Sequence, residues 1–308
     1  MSEGGKGVWA MVAACTVWGL SPLFYAWLSH VPPLEVLSYR CLWSVVVFAA
    51  ILGWQGRIGA VVAALSTRRG VLIVTASAVS ISANWLGFIY AVSVGHTVES
   101  SLGYFIFPLV AVLLGRVVLG ERLGRVQWAA IGLAALAVGV LTLGLGVTPW
   151  IALSLAVTFG AYGLIKKQLA LGPVVSVTAE VLVLSPLALL WIAVMGTGVG
   201  GGVGGGNAPA THLLLAASGP MTALPLILFS YAARRVRLST LGLVQYLNPT
   251  LQFLCAVVVF AESFTLWHKI AFPLIWIALV LYSGASLAQD RAARRRASSA
   301  GTSAASHT

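Results

Sequence analysis

Long apolar stretches separated by brief polar interruptions occupy nearly the whole of this chain. Ten of them are about 20 residues long: 7–28, 33–52, 71–92, 97–118, 126–146, 149–169, 173–195, 212–233, 239–260 and 267–287. A helix needs about 20 apolar residues to cross the hydrocarbon of a bilayer. Backbone in lipid has no water to bond, so such a run closes its own hydrogen bonds as a helix. The pattern predicts an all-α polytopic membrane protein of ten transmembrane helices. The first run is too long for a signal-peptide core, and no clear small-x-small site follows it, so it is read as the first span.

The runs repeat. An offset of 141 residues carries Gly19 to Gly160, Pro32 to Pro173, Tyr90-Ala91 to Tyr231-Ala232, Pro108 to Pro249, Leu113 to Leu254 and Glu121 to Glu262, without a gap. The offset spans five runs. Five crossings are an odd number, so the second copy is inverted relative to the first. The expected units are 6–146 and 147–287, with 288–308 a disordered, basic cytoplasmic tail. Inverted repeats are an architecture of secondary transporters, whose binding site lies between the two halves.

Composition agrees. Of the 308 residues 59% are apolar and 8% charged, and the net charge is +11; a soluble domain carries about 25% charged residues. With the N-terminus inside, 16 of the 18 Lys and Arg fall at cytoplasmic ends or loops. The positive-inside rule then places both termini in the cytoplasm. Basicity is thus a topology signal, and nucleic acid is excluded as a partner. The exceptions are Arg40, within the second run, and Lys269, at the outer start of the tenth. Cys15, Cys41 and Cys255 lie inside apolar runs without metal-ligand spacing, so neither metal, cofactor nor disulfide is expected. The glycine-rich stretch 196–206 lacks the Gly-Lys-Ser/Thr ending of a phosphate loop and reads as a linker.

Polar residues inside lipid need a reason, either packing by interhelical hydrogen bonds or a substrate path. Ser77, Ser80, Asn84, Gly87 and Ala91 form one helical stripe, read as close packing. Gly242, Gln245, Asn248 and Gln252 form another, and its three amides point to a cavity wall. Arg40 lies seven residues past Pro33, roughly 10 Å below the outer surface. Glu180 lies seven residues past Pro173, roughly 10 Å in from the opposite face. A direct bridge between the two is not implied. Glu180 is the candidate for proton coupling, with a permanently paired carboxylate as the competing reading. A central substrate cavity is expected to be lined by Arg40, Asn84, Glu180, Gln245, Asn248 and Gln252, with the aromatics beside these stripes, Trp18, Trp85, Tyr104, Tyr162 and Tyr246. Lys166 and Lys167 read as cytoplasmic anchors, although Lys166 shares a helical stripe with Phe159 and Tyr162. Glu35 and Glu99 read as solvated helix ends, and Glu121 and Glu262 as caps or orienting groups for the turns into the fifth and tenth helices. Pro108 and Pro249 are repeat mates, predict matched kinks, and are the hinge candidates.

Several strings carry a resemblance along the whole chain: Trp18-Gly19, Arg40-x-x-Trp43-Ser44, Asn84-Trp85, Glu99-Ser-Ser-Leu-Gly-Tyr-Phe-Ile-Phe-Pro-Leu-Val110, Leu119-Gly-Glu-Arg122 with Gln127-Trp128, Tyr162-Gly-Leu-x-Lys-Lys167, Leu238-Ser-Thr-Leu-Gly242 and Gln245-Tyr-x-x-Pro-Thr250. They resemble the RarD family of EamA-type permeases in the drug/metabolite transporter superfamily. The resemblance implies an inner-membrane permease of poorly defined substrate. It also implies Asn before Pro108, where this chain has Phe107; here the amide stands in the other half, as Asn248 before Pro249.

The expectation is an inner-membrane secondary transporter, not an enzyme, exporting small organic metabolites or drugs by alternating access. Its partners are a small-molecule substrate and lipid; monomer and homodimer both stay open. A passive facilitator on the same fold and a non-transporting sensor are the alternatives.

Overall fold

A computed structural model describes residues 3–120, 123–146, 149–166, 169, 171–194, 209–236 and 238–305; side chains at 119, 238, 239, 242, 243, 286, 287 and 289–305 are not described. The expectations at Glu121, Arg122 and Lys167 and over 196–206 lie outside these residues. The described backbone is helical: α1 (Glu3–Ala26), α2 (Pro33–Trp54), α3 (Ile58–Leu65), α4 (Arg68–Ser93), α5 (Thr97–Leu119), α6 (Arg125–Leu145), α7 (Trp150–Lys166), α8 (Pro173–Val194), α9 (Pro209–Ala233), α10 (Leu238–Gln245), α11 (Leu247–Leu254), a π-helical turn (Cys255–Val259) and α12 (Leu266–Ala305). Among the described residues, eight helices are long and apolar enough to cross a membrane. Two further apolar helices, Trp150–Lys166 and Leu247–Val259, are shorter. Large apolar side chains are exposed, Trp54 at 91% and Leu143 at 87% among them.

Two predicted elements differ. The ninth run is not one helix: it breaks at Tyr246 into α10 and α11. Pro249 explains the position, because its missing N–H is the one that would have bonded the Gln245 carbonyl a turn earlier. Its repeat mate Pro108 sits inside α5, which continues unbroken to Leu119, so the two prolines do not act alike on helix continuity. The tail was expected to be disordered, yet the backbone of α12 stays helical to Ala305. Ala and Arg, which fill 291–297, are among the strongest helix formers.

The chain packs as two compact units, residues 1–111 with 150–264, and residues 112–149 with 265–308. In the larger unit α2 lies against α8 and α9, α1 against α9 and α11, and α4 against α7. Small residues permit the closest approaches. A Cβ on Gly219 would stand 2.6 Å from the Trp43 backbone carbon and 2.7 Å from its oxygen. Backbone cannot swing aside as a side chain can, so Gly219→Ala should cost about 1–3 kcal/mol. An unchanged melting temperature in detergent would contradict the tight α2–α9 approach. In the smaller unit α6 packs on α12, and a Cβ on Gly144 would run into the Trp267 ring.

Glu262 does cap a helix, but not the one expected. Its Oε1 accepts from the Thr97 amide at 2.8 Å and its Oε2 from the Val98 amide at 2.7 Å. It therefore satisfies two orphan donors at the start of α5, where the helix dipole also favours a carboxylate. The π-turn re-aims the chain to bring it there: Phe260 donates back to the Cys255 carbonyl, and Ala261 takes a positive φ of 51°. Glu262→Ala should lower stability by about 1–2 kcal/mol, the usual worth of a helix cap. Hydrogen exchange at Thr97 and Val98 should accelerate with it; unchanged protection there would count against the cap.

Candidate substrate cavity

A cavity of about 620 Å³ opens inside the larger unit, within the range of small-molecule sites. Helices α1, α2, α4, α5, α7, α8, α9, α10 and α11 all contribute to its wall. Of the residues singled out in the sequence, Trp18, Arg40, Asn84, Trp85, Tyr104, Tyr162, Gln245, Asn248 and Gln252 line it. Glu180 lies directly behind the wall, fully buried. Tyr246 does not line it: this residue caps the start of α11, and its carbonyl accepts from Thr250 Oγ1 at 2.7 Å.

Three groups of polar side chains have different tasks. On α4, Asn84 and Ser80 bind the neighbouring α7. Asn84 donates to the Leu155 carbonyl at 2.9 Å and to Thr158 Oγ1 at 3.1 Å, and accepts from the Tyr104 hydroxyl at 2.9 Å. Ser80 donates to the Thr158 carbonyl at 2.8 Å. Gly87 and the buried Ala91 complete this face, with Leu155 of α7 opposite Gly87.

The second group surrounds Glu180. Its Oε1 accepts from Ser77 at 2.7 Å, from Ser176 at 3.2 Å and from the Lys166 ammonium, while Oε2 accepts from the Tyr162 hydroxyl at 3.2 Å. Lys166 also reaches Ser176 Oγ and lies 4.9 Å from the Tyr162 ring centroid. The expectation of Lys166 as a cytoplasmic anchor is thus corrected. It turns inward because α7 sets it one turn beyond Tyr162, facing a carboxylate that cannot be left uncompensated away from water. Glu35 is corrected as well, being 3% exposed and not a solvated end.

The third group faces the open space. Arg40 is 7% exposed and donates from Nε to Thr222 Oγ1 at 2.9 Å. Its guanidinium carbon lies 4.1 Å from the Trp85 ring centroid and 5.7 Å from that of Tyr25, so stacking supports the cation. Gln252 donates to Asn248 Oδ1 at 3.0 Å, whereas Gln245 makes no side-chain hydrogen bond among the described residues. Around them stand the aromatics. Phe159 packs on Tyr104, Phe107 and Tyr162, with ring centroids 5.9, 4.8 and 6.0 Å away, and Trp18 packs on Phe229 at 6.2 Å. Phe107 and Asn248, matched by the 141-residue offset, both line the cavity.

Sequence reasoning missed Tyr25, Thr222 and Phe229 as lining residues. Tyr25 had a signal in its stripe with Cys15, Trp18 and Pro22. Thr222 follows Ser218 by one turn on α9, the only hint available.

Comparison with known proteins places this geometry. The EamA-like transporter family model matches residues 5–143. A protein of Vibrio cholerae, named an uncharacterized transporter, is 40% identical over 94% of this chain and 96% of its own length. Protein RarD of Streptomyces exfoliatus is 44% identical over 91% of this chain and 89% of its own. A solved crystal structure, 18% identical, covers 90% of this chain and 97% of its own with a TM-score of 0.60, a likeness of fold. The class is therefore that of multi-pass bacterial inner-membrane transporters. Within it, the chain belongs to the RarD family of EamA-type permeases.

Proposed function

We propose that this chain is a secondary transporter that exports small organic metabolites or drugs by alternating access, with the 620 Å³ cavity as its substrate path. The observation carrying this reading is the lining itself. Amides and a cation face an open space within an apolar helical bundle, and residues from both sides of position 147 contribute. Packing alone has no use for a void lined by Gln245, Asn248 and Arg40, since each polar group there costs free energy unless something bonds it.

In this reading the protein crosses the membrane ten times with both termini cytoplasmic. The eight long helices are joined by α7 and by the broken segment from α10 to the π-turn. Discontinuous helices at the midplane are a recurring device of transporter sites, because their free backbone groups face the substrate. The halves 6–146 and 147–287 form the inverted repeat, Pro108 and Pro249 are hinge points, and transport involves no catalytic step.

Proton coupling falls to the cluster of Glu180, Lys166, Ser77, Ser176 and Tyr162. Protonating the carboxylate would release the lysine and loosen α4, α7 and α8 from one another. Proteoliposome flux with and without an imposed proton gradient tests this. The expected result is gradient-driven flux in the wild type and gradient-independent flux in Glu180→Gln. Wild-type flux indifferent to the gradient would favour the passive facilitator.

A further inference from the structure

We propose that the cavity selects an aromatic monoanion, above all an aromatic monocarboxylate, an inference that rests on the cavity being the substrate path. The first observation is charge. Among the described residues, two lining side chains are cationic, Arg40 and Lys166, and no Asp or Glu lines the space. Lys166 is already matched by Glu180 behind the wall. Arg40 has no carboxylate partner among the described residues. Among the lining residues, Arg40 is thus the cation without an ion-pair partner, and a ligand with one negative charge would match it.

The second observation is geometry. Thr222 takes the Nε hydrogen of Arg40, and Trp85 stacks against the guanidinium. These two contacts hold the plane of the group and leave its terminal nitrogens without a protein acceptor. Arg40 lines the cavity, so these nitrogens are placed to meet a ligand there. Two parallel N–H donors on a planar group fit a carboxylate in bidentate fashion, a match a neutral carbonyl makes only by half.

The third observation is the rest of the lining. Beyond the cation, Trp18, Trp85, Phe88, Phe107, Phe159 and Phe229 supply flat apolar faces suited to an aromatic ring. No carboxylate among the lining residues offers a partner to a ligand ammonium. This separates a monoanion from a zwitterionic amino acid, whose carboxylate would meet Arg40 but whose ammonium would have no counterpart, leaving the site with a net positive charge.

The test uses the full-length protein in detergent at neutral pH and a matched series of probes: benzoate, benzamide, benzylamine and phenylalanine, read by thermal shift. Benzoate is expected to half-saturate at a concentration at least tenfold below that of any other member. Arg40→Gln should weaken benzoate at least tenfold and benzamide by a much smaller factor, and Arg40→Lys should restore part of the benzoate loss. The wild-type series stands even if a variant fails to fold. Benzamide or phenylalanine binding as tightly as benzoate, benzoate binding unaffected by Arg40→Gln, or no binding by any probe would each overturn the inference. Flux of hippurate, a slowly permeating aromatic carboxylate, separates the two readings. Binding without flux above protein-free liposomes keeps the anion assignment and removes transport. Neutral probes bound and carried equally well remove the anion assignment and leave transport.

Discussion

Replacing Lys166 with Met should lower stability by about 3–5 kcal/mol, the cost of stranding one member of a buried ion pair. Glu180 is 0% exposed, so its carboxylate stays buried with no cation beside it once the ammonium is gone. Ser77, Ser176 and Tyr162 would still donate to it, but hydroxyl dipoles do not cancel a full charge. The reverse replacement should be mild. Lys166 retains 23% side-chain exposure and lines the cavity, so in Glu180→Gln its ammonium can be hydrated there. The double variant Lys166→Met/Glu180→Gln should recover most of the loss, because it leaves no charge and the amide keeps an acceptor for the hydroxyls. Melting of the three variants in detergent measures this. Equal losses for the two single variants would mean that burial does not set the asymmetry. A wild-type melting temperature in Lys166→Met would mean that the pair is not formed in the membrane protein.

Gln245→Ala should reduce transport about tenfold or more while changing stability by less than about 0.5 kcal/mol. The first figure is the worth of one hydrogen bond to a polar substrate group in a desolvated site. The second follows because Gln245 makes no side-chain hydrogen bond among the described residues, so the fold loses nothing when its amide is removed. Gln252 is the internal control. It donates to Asn248 and accepts from Ser100 at 3.5 Å, so Gln252→Ala should disturb the fold as well as the flux. Flux in proteoliposomes, normalised to inserted protein, separates the two. Normal transport by Gln245→Ala, with Arg40→Ala equally active, would remove the cavity from the substrate path.

Of the candidate site, the residues legible in the sequence were those whose spacing or type was out of place in lipid. Arg40 announced itself as a charge near mid-helix, and the three amides as one helical stripe. Nine of the eleven residues named this way line the cavity. Glu180 is one shell behind it, and Tyr246 belongs to the helix break. Lys166 was misplaced because a lysine near a helix end has two solutions, snorkelling to headgroups or turning inward. Which one wins depends on whether a carboxylate from another helix is in reach. Glu262 was read as a cap from its position after a helix, but the amides it binds are 164 and 165 residues away.

Apolar run length and charge suffice to make this chain a helical membrane protein, because lipid leaves the backbone no alternative to closing its own hydrogen bonds. The same local information shows which polar side chains sit at costly depth, but not which proline breaks a helix: Pro249 stands beside a break and Pro108 does not. What tertiary structure alone decided is the pairing of those side chains across helices: Lys166 with Glu180, Asn84 with α7, and Arg40 with Trp85 and Thr222. Helical periodicity orders residues along one axis, whereas these partners meet between axes, at separations of 14 to 182 residues. That is why a pair of opposite charges became neutral wall and a single arginine was left facing open space.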